Sequence, residues 1–136
     1  MALGEKVAEE KGSVIGMSVK SIDANGMSIE FSFASEVQGI GRYPSGRDMG
    51  TLSSLDGPHT NRSTGQGVII TKDGEMLPWH GSGIDKRVGD KIKGIFLATF
   101  TTMSQKYAWM NDVLIVLDSE ASADRTKFSD TAYEWK

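Results

Sequence analysis

The sequence predicts an all-β fold: a single eight-stranded antiparallel up-and-down β-barrel, with a two-layer β-sandwich as the alternative. Three observations carry that prediction. Apolar and polar residues alternate with a period of two along most of the 136 residues, and the helical period is almost absent. Turn dipeptides at Asn25-Gly26, Asp73-Gly74 and Gly89-Asp90 break the alternation at hairpin spacing. The sixteen glycines are about 12% of the chain, against a usual share of about 7%, and many fall inside strands, where glycine marks bulges and barrel corners.

The strands are expected at about 13–23, 27–43, 46–55, 62–72, 75–88, 91–102, 113–118 and 127–135, after an N-terminal arm or helical turn over 1–12. The first hairpin takes a three-residue loop, Ala24-Asn25-Gly26. That loop opposes Val19 to Phe31 and Met17 to Phe33, whereas a two-residue turn would put lysine and serine against those rings. From Met27 to Tyr43 one period runs through the odd positions, which reads as a long strand bent near Gly39 and Gly41. Pro44 then presets a turn. A two-residue turn at Asp73-Gly74 pairs Ile70 with Leu77 and Val68 with Trp79. A two-residue turn at Gly89-Asp90 pairs Trp79 with Phe100, Gly81 with Ala98 and Gly83 with Phe96, so both registers select one face. The polar stretch 119–126 joins the last two strands. Closing the sheet removes its edges, which favours the barrel over an open sheet.

The face holding Trp79 is read as the interior, with Phe31, Phe33, Trp79, Phe96 and Phe100 as its walls. The glycines beside these rings admit two readings: they make room for the rings, or they leave space for a ligand. Arg42, Tyr43 and Arg47, near the 103–112 connection, are candidates for the mouth of a binding site; the competing reading is a solvated loop tip in which an arginine, Arg42 or Arg47, pairs with Asp48. The opposite face carries Ile69, Met76, Pro78, His80, Ile84, Ile95, Leu97 and Met103, too apolar for a solvated wall, and predicts a homo-oligomer. In this register His80 lies opposite Gly67.

Other chemistries find little footing. A formal charge of −3 leaves no basic excess for a nucleic acid backbone. The absence of cysteine removes thiolate nucleophiles, disulfides and thiolate zinc sites. No apolar run spans a membrane or reads as a signal peptide, so a cytoplasmic location is expected. His59 and His80 lack ligand-spaced carboxylates, so no metal is expected. Gly39-Ile40-Gly41, Gly65-Gln66-Gly67 and Gly81-Ser82-Gly83 open no helix, so they are not phosphate loops and no cofactor is expected. These registers place no titratable group deep in the barrel, which counts against catalysis. The expected role is binding a small, largely apolar molecule in the interior. The alternatives are a cofactor-independent isomerase or cyclase acting by confinement, and a structural oligomer with a solid barrel.

Gly-Gln-Gly-Val (65–68), Lys-Asp-Gly-Glu (72–75), Trp-x-Gly-x-Gly (79–83) and the closing Tyr-Glu-Trp-Lys (133–136) resemble a family of short, uncharacterised prokaryotic proteins. The resemblance spans most of the chain and implies an all-β fold without implying an activity. In architecture the chain is similar to allene-oxide-cyclase-like barrels, dirigent proteins and lipocalins. It lacks the lipocalin Gly-x-Trp near the first strand, so no ligand carries over.

Overall fold

The computed structural model describes residues 3–136, and its eight strands form one closed antiparallel barrel in sequence order. They are β1 (Leu3–Asp23), β2 (Gly26–Gly39), β3 (Gly46–Asp56), β4 (Asn61–Thr71), β5 (Met76–Val88), β6 (Lys91–Phe100), β7 (Leu114–Ser122) and β8 (Lys127–Trp135). A short 3₁₀ turn, Ala108–Asp112, lies between β6 and β7. β1 closes the barrel against β8, from Leu3 opposite Trp135 to Ser13 opposite Lys127. The expected N-terminal arm is therefore wall from Leu3 onward; Met1 and Ala2 lie outside the described residues. Beyond Ser13, β1 has only β2 as a ladder partner, and Ile15, Met17, Val19 and Ile22 of this extension are exposed.

Hydrogen-bonded partners can be followed once around the wall. From Met27 they run through Asp56, Asn61, Asp85, Gly94, Ser119, Asp130 and Glu10 and return to β2 at Val37, ten residues along. That stagger tilts the strands and widens the lumen of an eight-stranded barrel. It also strings several polar residues on one oblique rung that climbs through the interior.

The Gly89-Asp90 hairpin has the expected register, with Trp79 opposite Phe100 and Gly83 opposite Phe96. The Asp73-Gly74 hairpin does not. Gly74 N–H bonds Thr71 O, Thr71 N–H bonds Glu75 O, and Gly74 takes φ of 89°, so the loop holds one residue more than expected. The slip turns β4 over: Ile69 and Leu77 are partners and both line the interior, while Ile70 is exposed. Gly67 therefore faces Trp79, and His80 faces Gln66. The first hairpin also differs. Asp23 pairs with Gly26 across Ala24-Asn25, and two register shifts bring Met17 opposite Phe31 and Val19 opposite Ile29. β2 stops at Gly39, because Gly41 adopts φ of 64° and starts a turn that ends at β3.

Candidate functional site

An internal cavity of about 230 Å³ runs through the barrel. Phe31, Phe33, Trp79, Phe96 and Phe100 all line it, with Leu52, Ile69, Leu77, Ala98, Ile115, Leu117 and Phe128 filling the spaces between. Phe33 lies 6.1 Å from Trp79 and meets Phe128 edge-on at 5.5 Å, and Trp79 meets Phe96 edge-on at 6.0 Å. The rings lie against the glycines of the neighbouring strand. A Cβ on Gly67 would come within 2.7 Å of Trp79 Cζ2, and one on Gly83 within 2.8 Å of Phe96 Cδ1. The glycines do make room for the rings, and a cavity is still left over.

Five carboxylate residues, Glu10, Asp48, Asp85, Glu120 and Asp130, line this largely apolar space, and three of them, Glu10, Asp48 and Asp130, meet in one cluster. The topology explains how residues so distant in sequence meet. Glu10 and Asp130 are direct partners across β1 and β8, Asp130 is the partner of Ser119, and Asp48 is the partner of Ser35. The Ser35 hydroxyl donates to Glu10, and Trp79 Nε1–H donates to Asp48 Oδ1 at 2.8 Å. Glu10 also shares hydrogen bonds with Asp48 and Asp130. Burial, followed by the charge of Asp48, pushes the Glu10 carboxyl up to about 8. Burial and then the neighbouring Glu10 charge raise Asp130 well above the usual carboxylate range. Burial raises Asp48 too, against hydrogen bonds from Glu10 and Trp79 that favour its ionised form. Near neutral pH Glu10 therefore holds its proton, and beside it Asp48 accepts hydrogen bonds from Glu10 and Trp79.

The sequence reading that no titratable group lies deep in the barrel is corrected by these residues. Glu10 was hidden by assigning 1–12 to an arm. Asp130 carried a legible signal: it alternates in phase with Phe128 and Ala132, and all three line the cavity.

The predicted mouth residues divide. Tyr43 lines the cavity and belongs to the buried core with Tyr107 and Met110, whose side chains fill the barrel end beneath the 3₁₀ turn. Its hydroxyl has no hydrogen-bond partner, and burial raises its pKa. Arg42 is exposed and stacks outside, 3.9 Å from the Trp109 ring centroid. Arg47 is exposed on the outer face, opposite Glu36 and Ile70, with its neighbour Asp48 turned inward, so the alternative Arg47–Asp48 pair does not form. At the other end Arg125, with φ of 63°, reaches from the β7–β8 turn to Asp56 Oδ2 at 2.8 Å and lies 5.9 Å from the Phe31 ring centroid. Asn61 Nδ2 donates to Asp85 Oδ1 there at 2.7 Å. The sequence reading missed Arg125 as a rim residue. Among the described residues no group of three His, Cys, Asp or Glu side chains is placed to hold a metal ion, and no helix is long and apolar enough to cross a membrane.

No family model matches this sequence, and no curated protein does. Solved structures match it over nearly its whole length. A protein of unknown function from Clostridium acetobutylicum ATCC 824 superposes with a TM-score of 0.84 at 19% identity, each chain covered fully. A β-barrel-like protein from Acinetobacter baumannii AYE gives 0.82 at 17% identity, covering 99% of this chain and 96% of its own. A protein described as an enzyme from Penicillium herquei gives 0.74 at 17% identity, with 96% and 92% covered. At these identities the likeness is one of fold.

Proposed function

We propose that the barrel binds a small, largely apolar molecule in its interior. The observation that carries this reading is the cavity of about 230 Å³ whose walls are the five predicted aromatic residues. A concave space lined by rings and other apolar side chains, with a few converging polar groups, is the usual form of a small-molecule site. Filling it tests the reading. Ala98 is buried against the cavity, so Ala98→Leu should weaken the binding of an apolar fluorescent probe about tenfold or more while the barrel stays folded by circular dichroism. Unchanged affinity in that variant would show that the probe binds elsewhere.

A second reading has its own observation. Glu10 and Asp48 place a carboxyl that holds its proton beside a second carboxyl in a largely apolar cavity, an arrangement used to move protons on a confined substrate. A cofactor-independent isomerase or cyclase is the alternative that this pair favours. The proposal extends to association between copies through the outward-facing Met76, His80, Ile84, Ile95 and Leu97, all exposed on β5 and β6. Ile69, expected on that face, lines the cavity and is not part of it.

A further inference from the structure

Building on the ligand-binding reading, we infer that the molecule the barrel takes is cationic: an ammonium group carried on an apolar body, its charged end seated among Glu10, Asp48 and Asp130. Burial is the largest influence on all three carboxyls; after it come other carboxylates, Ser35, Ser119, the Trp79 indole and the Met49 amide, and none is a lysine or an arginine. Arg125 lines the cavity but is paired with Asp56, and Arg42 lies outside against Glu134 and Trp109; neither acts on the three clustered carboxyls. Carboxyl groups are rarely buried without a cationic partner, and here three share one apolar space.

The walls fit the same ligand. Phe33 contacts both Trp79 and Phe128, and Phe128 lies beside the cluster, since a Cβ on Gly12 would touch both Phe128 and the Ser35 side chain that serves Glu10. Aromatic faces combined with carboxylates are how proteins hold ammonium groups away from water. Tyr43, which also lines the cavity, has its hydroxyl beside Glu134 and Arg42 and stands apart from the carboxyl cluster.

Proton linkage gives the inference a signature. The groups facing Glu10 are Asp130 from β8 and Asp48 from β3, with Ser35 from β2, and Asp118 of β7 acts on Asp130. All the titratable members are acidic, so the cluster holds protons at neutral pH that an entering cation would displace. An alkylammonium keeps its charge to about pH 10, so its affinity should rise with pH between 6 and 8.

The experiment compares 4-phenylbutylamine, 4-phenylbutan-1-ol and 4-phenylbutyrate by isothermal titration calorimetry at pH 6, 7 and 8 in buffers of different ionisation enthalpy. The amine is expected to bind about tenfold or more tighter than the alcohol, releasing protons, with the carboxylate weakest. Glu10→Gln and Asp130→Asn should each shrink the preference for amine over alcohol and leave alcohol binding in place. Equal affinity of amine and alcohol in the native chain, or a preference untouched by both substitutions, would overturn the inference while leaving an apolar site. Failure of all three probes to bind would overturn the ligand-binding reading itself.

Discussion

Glu10 ties a property of one residue to the stability of the whole barrel. Its carboxyl is pushed up to about 8 in the folded chain, against about 4.3 in an unfolded one. Between those values the folded state holds a proton that the unfolded state has lost, so this contribution to stability is complete below about pH 4.3 and is lost as pH rises through about 8. Asp130, raised by burial and by Glu10, acts in the same direction. Melting followed by circular dichroism should show Tm falling by several degrees from pH 6 to pH 9, opposite to a protein held by ion-paired carboxylates. The loss should reach up to roughly 1.4 kcal/mol per pH unit for each group titrating. Glu10→Gln should flatten the profile and raise Tm at pH 9; a profile as steep as that of the native chain would show that Glu10 is not the group responsible. Asp73 provides a contrast: Lys106 first, then Thr71, hold its exposed carboxyl down to about 2, and being solvated it adds little.

Strands and turns set what such residues can meet. Gly81 on β5 leaves the space that the Phe96 ring of β6 occupies, and a Cβ there would also come within 2.5 Å of Leu97 O, a backbone atom that has no easy way to retreat. Gly81→Ala should therefore cost about 1–3 kcal/mol in denaturant melts, whereas Gly74→Asn, at a turn position of φ 89° with open space around it, should cost much less. Similar losses in both would refute the packing role. The same elements show what the sequence made legible. Hairpin dipeptides and period-two alternation were enough for the barrel and for the β5–β6 register, because Gly89-Asp90 closes a two-residue turn. Asp73-Gly74 looks alike but closes a three-residue loop, a choice made by Thr71 Oγ1, which accepts from Glu75 N–H at 2.9 Å. One residue of slip exchanged Ile69 for Ile70 in the interior. The aromatic walls survived the slip since they sit on β2, β5 and β6. The carboxyl cluster did not show because its members come from β1, β3 and β8, and pair only once the barrel closes. Alternation alone marks Asp48 and Asp130 as in phase with inward residues, but says nothing of their meeting Glu10.

At the scale of the molecule, a closed barrel satisfies its backbone groups internally and leaves its outer surface free to be specified separately. Apolar side chains are exposed on the β1 extension and on β5 and β6, where they take adjacent positions: Ile84 lies opposite Ile95, and Leu97 follows two residues on. Ile95 is 54% exposed and Met76 56%, beyond what a solvated strand face ordinarily carries. Interior and exterior side chains alternate along these strands: Ile95 and Leu97 are exposed while Phe96 and Ala98 lie inside, although Ile84 and Ile95 also border the cavity. If copies associate here, the interface is self-complementary under two-fold symmetry, and one substitution places a charge on both sides of it. Ile95→Lys combined with Leu97→Lys should convert an oligomer at micromolar concentration into a monomer by sedimentation velocity, with the far-ultraviolet spectrum preserved. A native chain that sediments as a monomer at every concentration, or a double variant that sediments as the native chain does, would remove the β5–β6 face as the contact.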